Sequence, residues 1–223
     1  MAFSFTRWLE NHITLHNHDD RRDEWLNSAT HVVGTALSVA ALIAVVLKFP
    51  QIPSRSLRAG LVIWAATMIL LYGASALYHA LPHSNAKRLC RVLDHSNIYF
   101  LIAGTYTPLM LYIDTRVSLL VLALIWVIAV LGVIFTLIFW GRFGALHVGL
   151  YILMGWMIVF FARHIFPHLP AGLLGWVIAA GVTYTAGVIF YANKKIPHYH
   201  AIWHLFCIGG SALFFLGYWK TLI

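Results

Sequence analysis

From about residue 29 onward the chain is a series of long apolar runs broken by short polar gaps. A membrane-spanning helix needs roughly 20 predominantly apolar residues. Runs of about that length fall near 29–49, 59–81, 89–113, 117–140, 145–161, 172–192 and 198–219. The gaps carry turn chemistry, as in Phe49-Pro50-Gln51-Ile52-Pro53, Pro82-His83-Ser84-Asn85 and Asn193-Lys194-Lys195-Ile196-Pro197. The pattern predicts an all-α membrane protein, a seven-transmembrane helix bundle. The third run is the most polar; the fifth is short and runs out into the loop-like stretch 163–168. Residues 1–25 read as a polar, mixed-charge lead lying at the membrane interface, and residues 26–223 as the transmembrane domain. No internal repeat or second domain is visible.

Composition agrees with the pattern. Of the 223 residues, 61% are hydrophobic and 10% charged, against about 45–50% and about 25% in soluble domains. That leaves too little polar surface to cover a water-soluble globule. The net charge of +8 does not point to nucleic acid, because the basic residues sit in the gaps between runs and not on one patch. Their distribution instead sets orientation. With the N-terminus cytoplasmic, the inner segments carry Arg7, Arg21, Arg22, Lys87, Arg88, Arg91, Arg142, Lys194 and Lys195, and the outer ones Lys48, Arg55, Arg58, Arg116, Arg163 and Lys220. This bias predicts a cytoplasmic N-terminus and an outer C-terminus, and the chain reads as a polytopic protein of inner-membrane type. Cys90 and Cys207 stand in unrelated contexts, which is neither a disulfide framework nor a cysteine-based zinc motif. The first 20 residues hold no sustained apolar stretch, so no cleavable signal peptide is expected.

Candidate chemistry lies in the polar residues that interrupt the runs. A charge at the centre of a span costs about 2.5–3.5 kcal/mol on insertion scales, so such residues face the bundle interior and tend to be functional. The expected topology brings His31, His79, Asp94, His200 and His204 to one depth near the cytoplasmic face, with Asp94 about one turn into its helix. His200 and His204 are i, i+4, on one helix face, as are Ser75 and His79. Three imidazoles suit zinc and leave a fourth position for water, whose pKa zinc lowers to about 7. Asp94 is placed to take that water's proton, or to pair with Arg91 three residues earlier. Ser75 could donate to a developing oxyanion; within Gly73-Ala74-Ser75-Ala76 it could equally be a small-residue packing surface. His12, His16 and His18 read as solvated, and His164 and His168 as loop residues on the opposite side. His83, His95, His147 and His198 read as exposed helix ends. Cys207 reads as core packing.

Taken together, Glu24-x-x-Asn27-x-x-x-His31-x-x-Gly34, Ser75-x-x-x-His79, Asp94 and His200-x-x-x-His204 resemble the progestin and adipoQ receptor (PAQR) family, in its bacterial haemolysin-III-like branch. The resemblance runs from about residue 20 onward. It implies seven helices with a cytoplasmic N-terminus, and zinc held by His79, His200 and His204. It also implies a water-mediated role for Asp94 and a supporting one for Ser75. Glu24, Asn27 and His31 complete the motif without an assigned role. Through its wider group the resemblance implies zinc-dependent hydrolysis of a lipid amide or ester of the ceramidase type.

Four functions remain distinct. The first is a membrane-embedded zinc hydrolase acting on membrane lipids. The second is a non-enzymatic regulator or receptor of the membrane in which zinc is structural. The third, a pore-forming haemolysin, has little support, because no charged ring or repeated polar stripe lines the spans. The fourth is an intramembrane serine hydrolase using Ser75 with a histidine base; three clustered histidines exceed what such a dyad needs.

Overall fold

A computed structural model describes residues 4–15 and 21–223, and every regular element among them is helical. His16 and His18 lie outside the described residues. The helices are α1 (Phe5–His12), α2 (Arg21–Leu47), α3 (Arg55–Ala80), α4 (Asn85–Ile113), α5 (Arg116–Ile138), α6 (Gly144–Gly155), α7 (Met157–Phe160), α8 (Ala162–Ile165), α9 (Leu173–Ala192) and α10 (Tyr199–Thr221). By length and composition α2, α3, α5, α9 and α10 can each cross a membrane. α4 has 29 residues, ample length, but carries more polar groups than its neighbours.

The gaps end the helices through local chemistry. Ser54 and Ser84 accept hydrogen bonds from the backbone N–H groups of Leu57 and Lys87, both at 3.2 Å, and so cap α3 and α4. Thr115 and Ser118 form a reciprocal capping box at the start of α5. Inside lipid a helix satisfies its own backbone, and its apolar side chains can face outward without cost. Leu37, Leu120, Phe160 and Ile189 are exposed in this way.

α2, α3, α4 and α5 pack in succession, α9 packs on α10, and α10 returns to α2. α6 touches α4, α5 and α9 and completes the ring. Gly34 lets α2 come close to its neighbours: a Cβ there would stand 3.1 Å from both Ile208 of α10 and Tyr72 of α3. α1 lies outside the ring, with Leu9 and the following Ile13 packed on Val92, Leu137 and Trp140.

The expected fifth run is not one helix. It is broken at Trp156 and Phe161 into α6, α7 and α8 and ends in a tight turn over Phe166–His168. His164 is therefore helical and not in a loop. The Tyr106 hydroxyl of α4 bridges the first break, donating to the Gly155 carbonyl and accepting from the Ile158 N–H, both at 2.9 Å. The polar groups freed by the break are thus re-satisfied from the next helix. A second difference concerns depth. α4 begins at Asn85, so Asp94 stands nine residues in, about 13 Å along the helix at 1.5 Å per residue, deeper than one turn.

Candidate metal centre

α2, α4 and α10 begin, and α3 ends, at the same end of the bundle. Two consecutive acids on α2 join these helices. Asp23 pairs with His198, which caps α10 in a left-handed conformation. Glu24 reaches the end of α3 and the start of α4: its Oε2 lies 3.2 Å from both His79 Nδ1 and Lys87 Nζ. Lys87, 4% exposed, also donates to the carbonyls of Tyr78 at 2.8 Å and Leu81 at 3.1 Å. It thereby covers carbonyls that the end of α3 leaves open.

Between these clamps lie His79, His200 and His204. Each offers a ring nitrogen, and the three nitrogens fall within 4.8 Å of one another. Tetrahedral zinc with Zn–N of 2.0–2.1 Å sets its ligand nitrogens about 3.4 Å apart. Closing this group on an ion therefore takes ring movements of order 1 Å. The outer hydrogen bonds fit such a centre. His79 Nδ1 meets the Glu24 carboxylate, and His204 Nδ1 meets the Asn27 carbonyl and the Thr30 hydroxyl, both at 3.1 Å. Each contact engages Nδ1, so Nε2 is the nitrogen that either ring could offer to a metal. Imidazole ligands are commonly fixed by such a bond on the far nitrogen, and a carboxylate there makes the ligand more basic. The donor set thus suits a borderline divalent metal that takes imidazole, zinc among them.

His31 is close but is not part of this group. Its ring stacks on that of His204, centroids 3.5 Å apart and 15° between planes, and packs on Tyr72 at 5.0 Å. Both of its ring nitrogens are buried with no hydrogen-bond partner among the described residues. Asp94 lies within electrostatic range of His79, and its Oδ2 is 3.6 Å from His95 Nδ1. Ser75 is wholly buried and within polar reach of Asp94, though its hydroxyl makes no hydrogen bond of ordinary geometry. It is not among the residues lining the adjacent cavity, whereas Asp94 is. Arg91 turns elsewhere, donating from Nη1 to Thr14 at 3.1 Å.

The cavity measures about 550 Å³ and runs inward from this end between α4, α6, α9 and α10. His31, Asp94, His200 and His204 stand on its wall near the three-histidine end; Leu101, Leu109, Val177 and Phe214 line it farther in. Helix ends read above as merely exposed are engaged as well. His147 Nδ1 meets the Tyr99 hydroxyl at 2.8 Å, and His95 contacts Asp94 and the Arg91 carbonyl. Thr30 and Lys87 escaped the sequence reading. Lys87 could have been suspected as a basic residue three positions past an N-cap serine; Thr30 bears no signal beyond its place within the motif.

The chain matches the family described as "Haemolysin-III related" over residues 20–215. It belongs to that family. Hemolysin-3 of Bacillus cereus is 37% identical over 195 residues, which are 87% of this chain and 89% of that protein. The Hemolysin-3 homolog of Bacillus subtilis is 35% identical over 195 residues, 87% of this chain and 92% of that protein. Monocyte to macrophage differentiation factor of Homo sapiens is 27% identical over 171 residues, 72% of this chain and 69% of that protein. All the motif residues from Glu24 to His204 fall inside the span shared with the haemolysin-III-related family.

Proposed function

We propose that this haemolysin-III-related membrane protein is a zinc enzyme hydrolysing an amide or ester bond in a membrane lipid. One observation carries the reading: three histidine nitrogens lie within 4.8 Å of one another, and two of those histidines, His200 and His204, line a largely apolar cavity together with a carboxylate, Asp94. The reading includes seven spans, with α4 as the third and α6–α8 together as the fifth. It also includes an inner-membrane location and a cytoplasmic N-terminus, the latter supported by the uneven basic residues of the gaps.

His79, His200 and His204 would hold the metal, and Glu24, Asn27 and Thr30 would orient His79 and His204. Zinc, when bound, supplies a Lewis acid and lowers the pKa of water to about 7. Asp94 takes the proton of the attacking water at its carboxylate and returns it to the leaving group. Ser75, within polar reach of that carboxylate, plays the supporting part. The apolar cavity wall binds the acyl chain, excludes bulk water and sets the scissile bond at the histidine end.

The test is turnover of a panel of lipid amides and esters by purified protein, with and without chelator. Zinc-dependent hydrolysis that falls at least about 100-fold in Asp94→Asn, with metal content unchanged, is expected from losing a general base. No turnover across the panel would count against the reading.

One observation favours a second reading, a regulator with structural zinc: the centre joins α3 to α10, and α2 braces both. That reading requires Asp94→Ala to keep full biological effect while His204→Ala unfolds the protein.

A further inference from the structure

A groove separate from the histidine cavity lies between α2, α3 and α10. α2 and α10 close at Gly34, where a Cβ would stand 3.1 Å from Ile208. From there they leave a slot of about 300 Å³ whose wall on α2 extends to Ala44, about 15 Å at 1.5 Å per residue. Its rim is accessible: Leu37 is 53% exposed, and Ala40 and Ala212 are exposed as well. Its floor offers little to a polar ligand. The Tyr72 hydroxyl donates to the Cys207 carbonyl at 3.0 Å and meets the Ser211 hydroxyl at 2.6 Å, and Ser38 donates to the Gly34 carbonyl at 2.7 Å. One turn past the slot stands a cation. Lys48 follows Ala44 by four residues and lies over the Trp219 ring, 5.4 Å from its centroid. Trp219 in turn stacks on Phe215, a groove wall, with centroids 5.6 Å apart. Lys48 gives one N–H to Gln51 in an exposed hydrogen bond of 2.9 Å, and no carboxylate among the described residues is within ion-pair distance of it.

Shape and charge decide the occupant. A slot of this volume and length is about 20 Å² in section, against roughly 80 Å² for a helix about 10 Å across. It admits a hydrocarbon chain and not a helix of another protein. Its length matches the hydrocarbon depth of one leaflet, about 15 Å. Lys48 stands where the span ends and head groups begin, and its charge calls for an anion that the neighbouring side chains do not supply. We propose that this groove binds one anionic glycerophospholipid, with an acyl chain between α2 and α10 and the phosphate at Lys48. The ammonium group's other N–H bonds donate to phosphate oxygens, and the Trp219 ring beneath holds it in place. Closure of the helices at Gly34 stops the end of the chain, so the tail points toward the histidine end of the bundle and the head away from it. The inference needs the chain to span a membrane, and neither a metal nor hydrolysis.

The experiment places the full-length protein in phosphatidylcholine vesicles with a trace of photoreactive lipid that carries a diazirine on one acyl chain. Labelled peptides are mapped by mass spectrometry. Photoreactive phosphatidylglycerol should label residues 34–44 of α2 and 208–215 of α10 at least about fivefold more than photoreactive phosphatidylcholine does, the effect of one lysine on an anionic head. Lys48→Gln should remove that preference. Lys220→Gln strips a charge from the same end, but on the side of Trp176, and should leave the preference intact. Ala40→Phe fills the slot from its exposed rim and should abolish labelling there by either lipid. Labelling of the groove no denser than at the exposed Leu120 and Leu131 of α5 would overturn the proposal. So would equal labelling by the two lipids, or a preference that survives Lys48→Gln, a surface change that tests the head even where Ala40→Phe does not fold. Disulfide cross-linking of two chains through Ala40→Cys, in place of lipid labelling, would give the groove to a second copy and overturn it too.

Discussion

Single side chains set the properties of the histidine centre. Glu24 serves His79 and Lys87 with one oxygen, so its carboxylate is both a brace and a charge balance. Loss of such an outer partner lowers metal affinity by about 10–100-fold. Glu24→Gln, titrated with zinc against a competing chelator, should show a loss in that range. Thr30→Val should show a smaller one, because His204 keeps the Asn27 carbonyl. At this scale the sequence was informative where spacing and chemistry coincide. His200 and His204 share a helix face, and His79 ends a helix at the same depth, so their convergence was legible. The partners were not. Nothing in the order of residues says that Glu24 meets His79 across 55 positions, or that His31 lies flat on His204 instead of joining the ligands.

At the scale of helices, hydrophobic length located almost every element, since a bilayer admits few ways to bury a backbone. Edges were less legible. α2 and α4 begin several residues before their apolar runs, because polar first turns at Arg21 and Asn85 belong to the helix without looking like membrane. The broken stretch α6–α8 was not legible at all. No proline stands at either break, and the repair comes from Tyr106 on another helix. Tyr106→Phe leaves the Gly155 carbonyl and the Ile158 N–H without their bridge. A buried polar group left unsatisfied costs about 1–3 kcal/mol; Ile158 is buried and Gly155 exposed, so the variant should lose about 1–3 kcal/mol of stability, nearly all of it at the Ile158 N–H. Urea or SDS unfolding of the purified variant in mild detergent measures this; it should leave zinc content unchanged, because the break lies well away from the histidines.

For the whole molecule, ion pairs gather at one end of the ring of helices, while toward the other the packing is apolar with a few hydroxyl and cation–ring contacts, such as Tyr218 to the Thr105 carbonyl and Lys48 over Trp219. Asp23 and Glu24 draw α3, α4 and α10 onto α2. A metal bound at that end stabilises the folded state by mass action, about 2.7 kcal/mol at a hundredfold excess over Kd. Removing it with EDTA should lower the Tm of the wild-type protein, and re-addition of zinc should restore it. His79→Ala should show neither response. A wild-type protein whose Tm ignores both EDTA and zinc would argue that no metal joins these helices.

The three histidines also have an order in time. His79 leaves the ribosome on α3, while His200 and His204 follow only after α4 through α9 have been made. Chains fold from the N-terminal side as they emerge, so an early α3 carries one imidazole and no centre. The full ligand set exists only in a chain whose α10 has been inserted and turned back onto α2. Bound metal would therefore mark chains whose insertion is complete, and a cell that clears metal-free copies would be clearing those stalled partway.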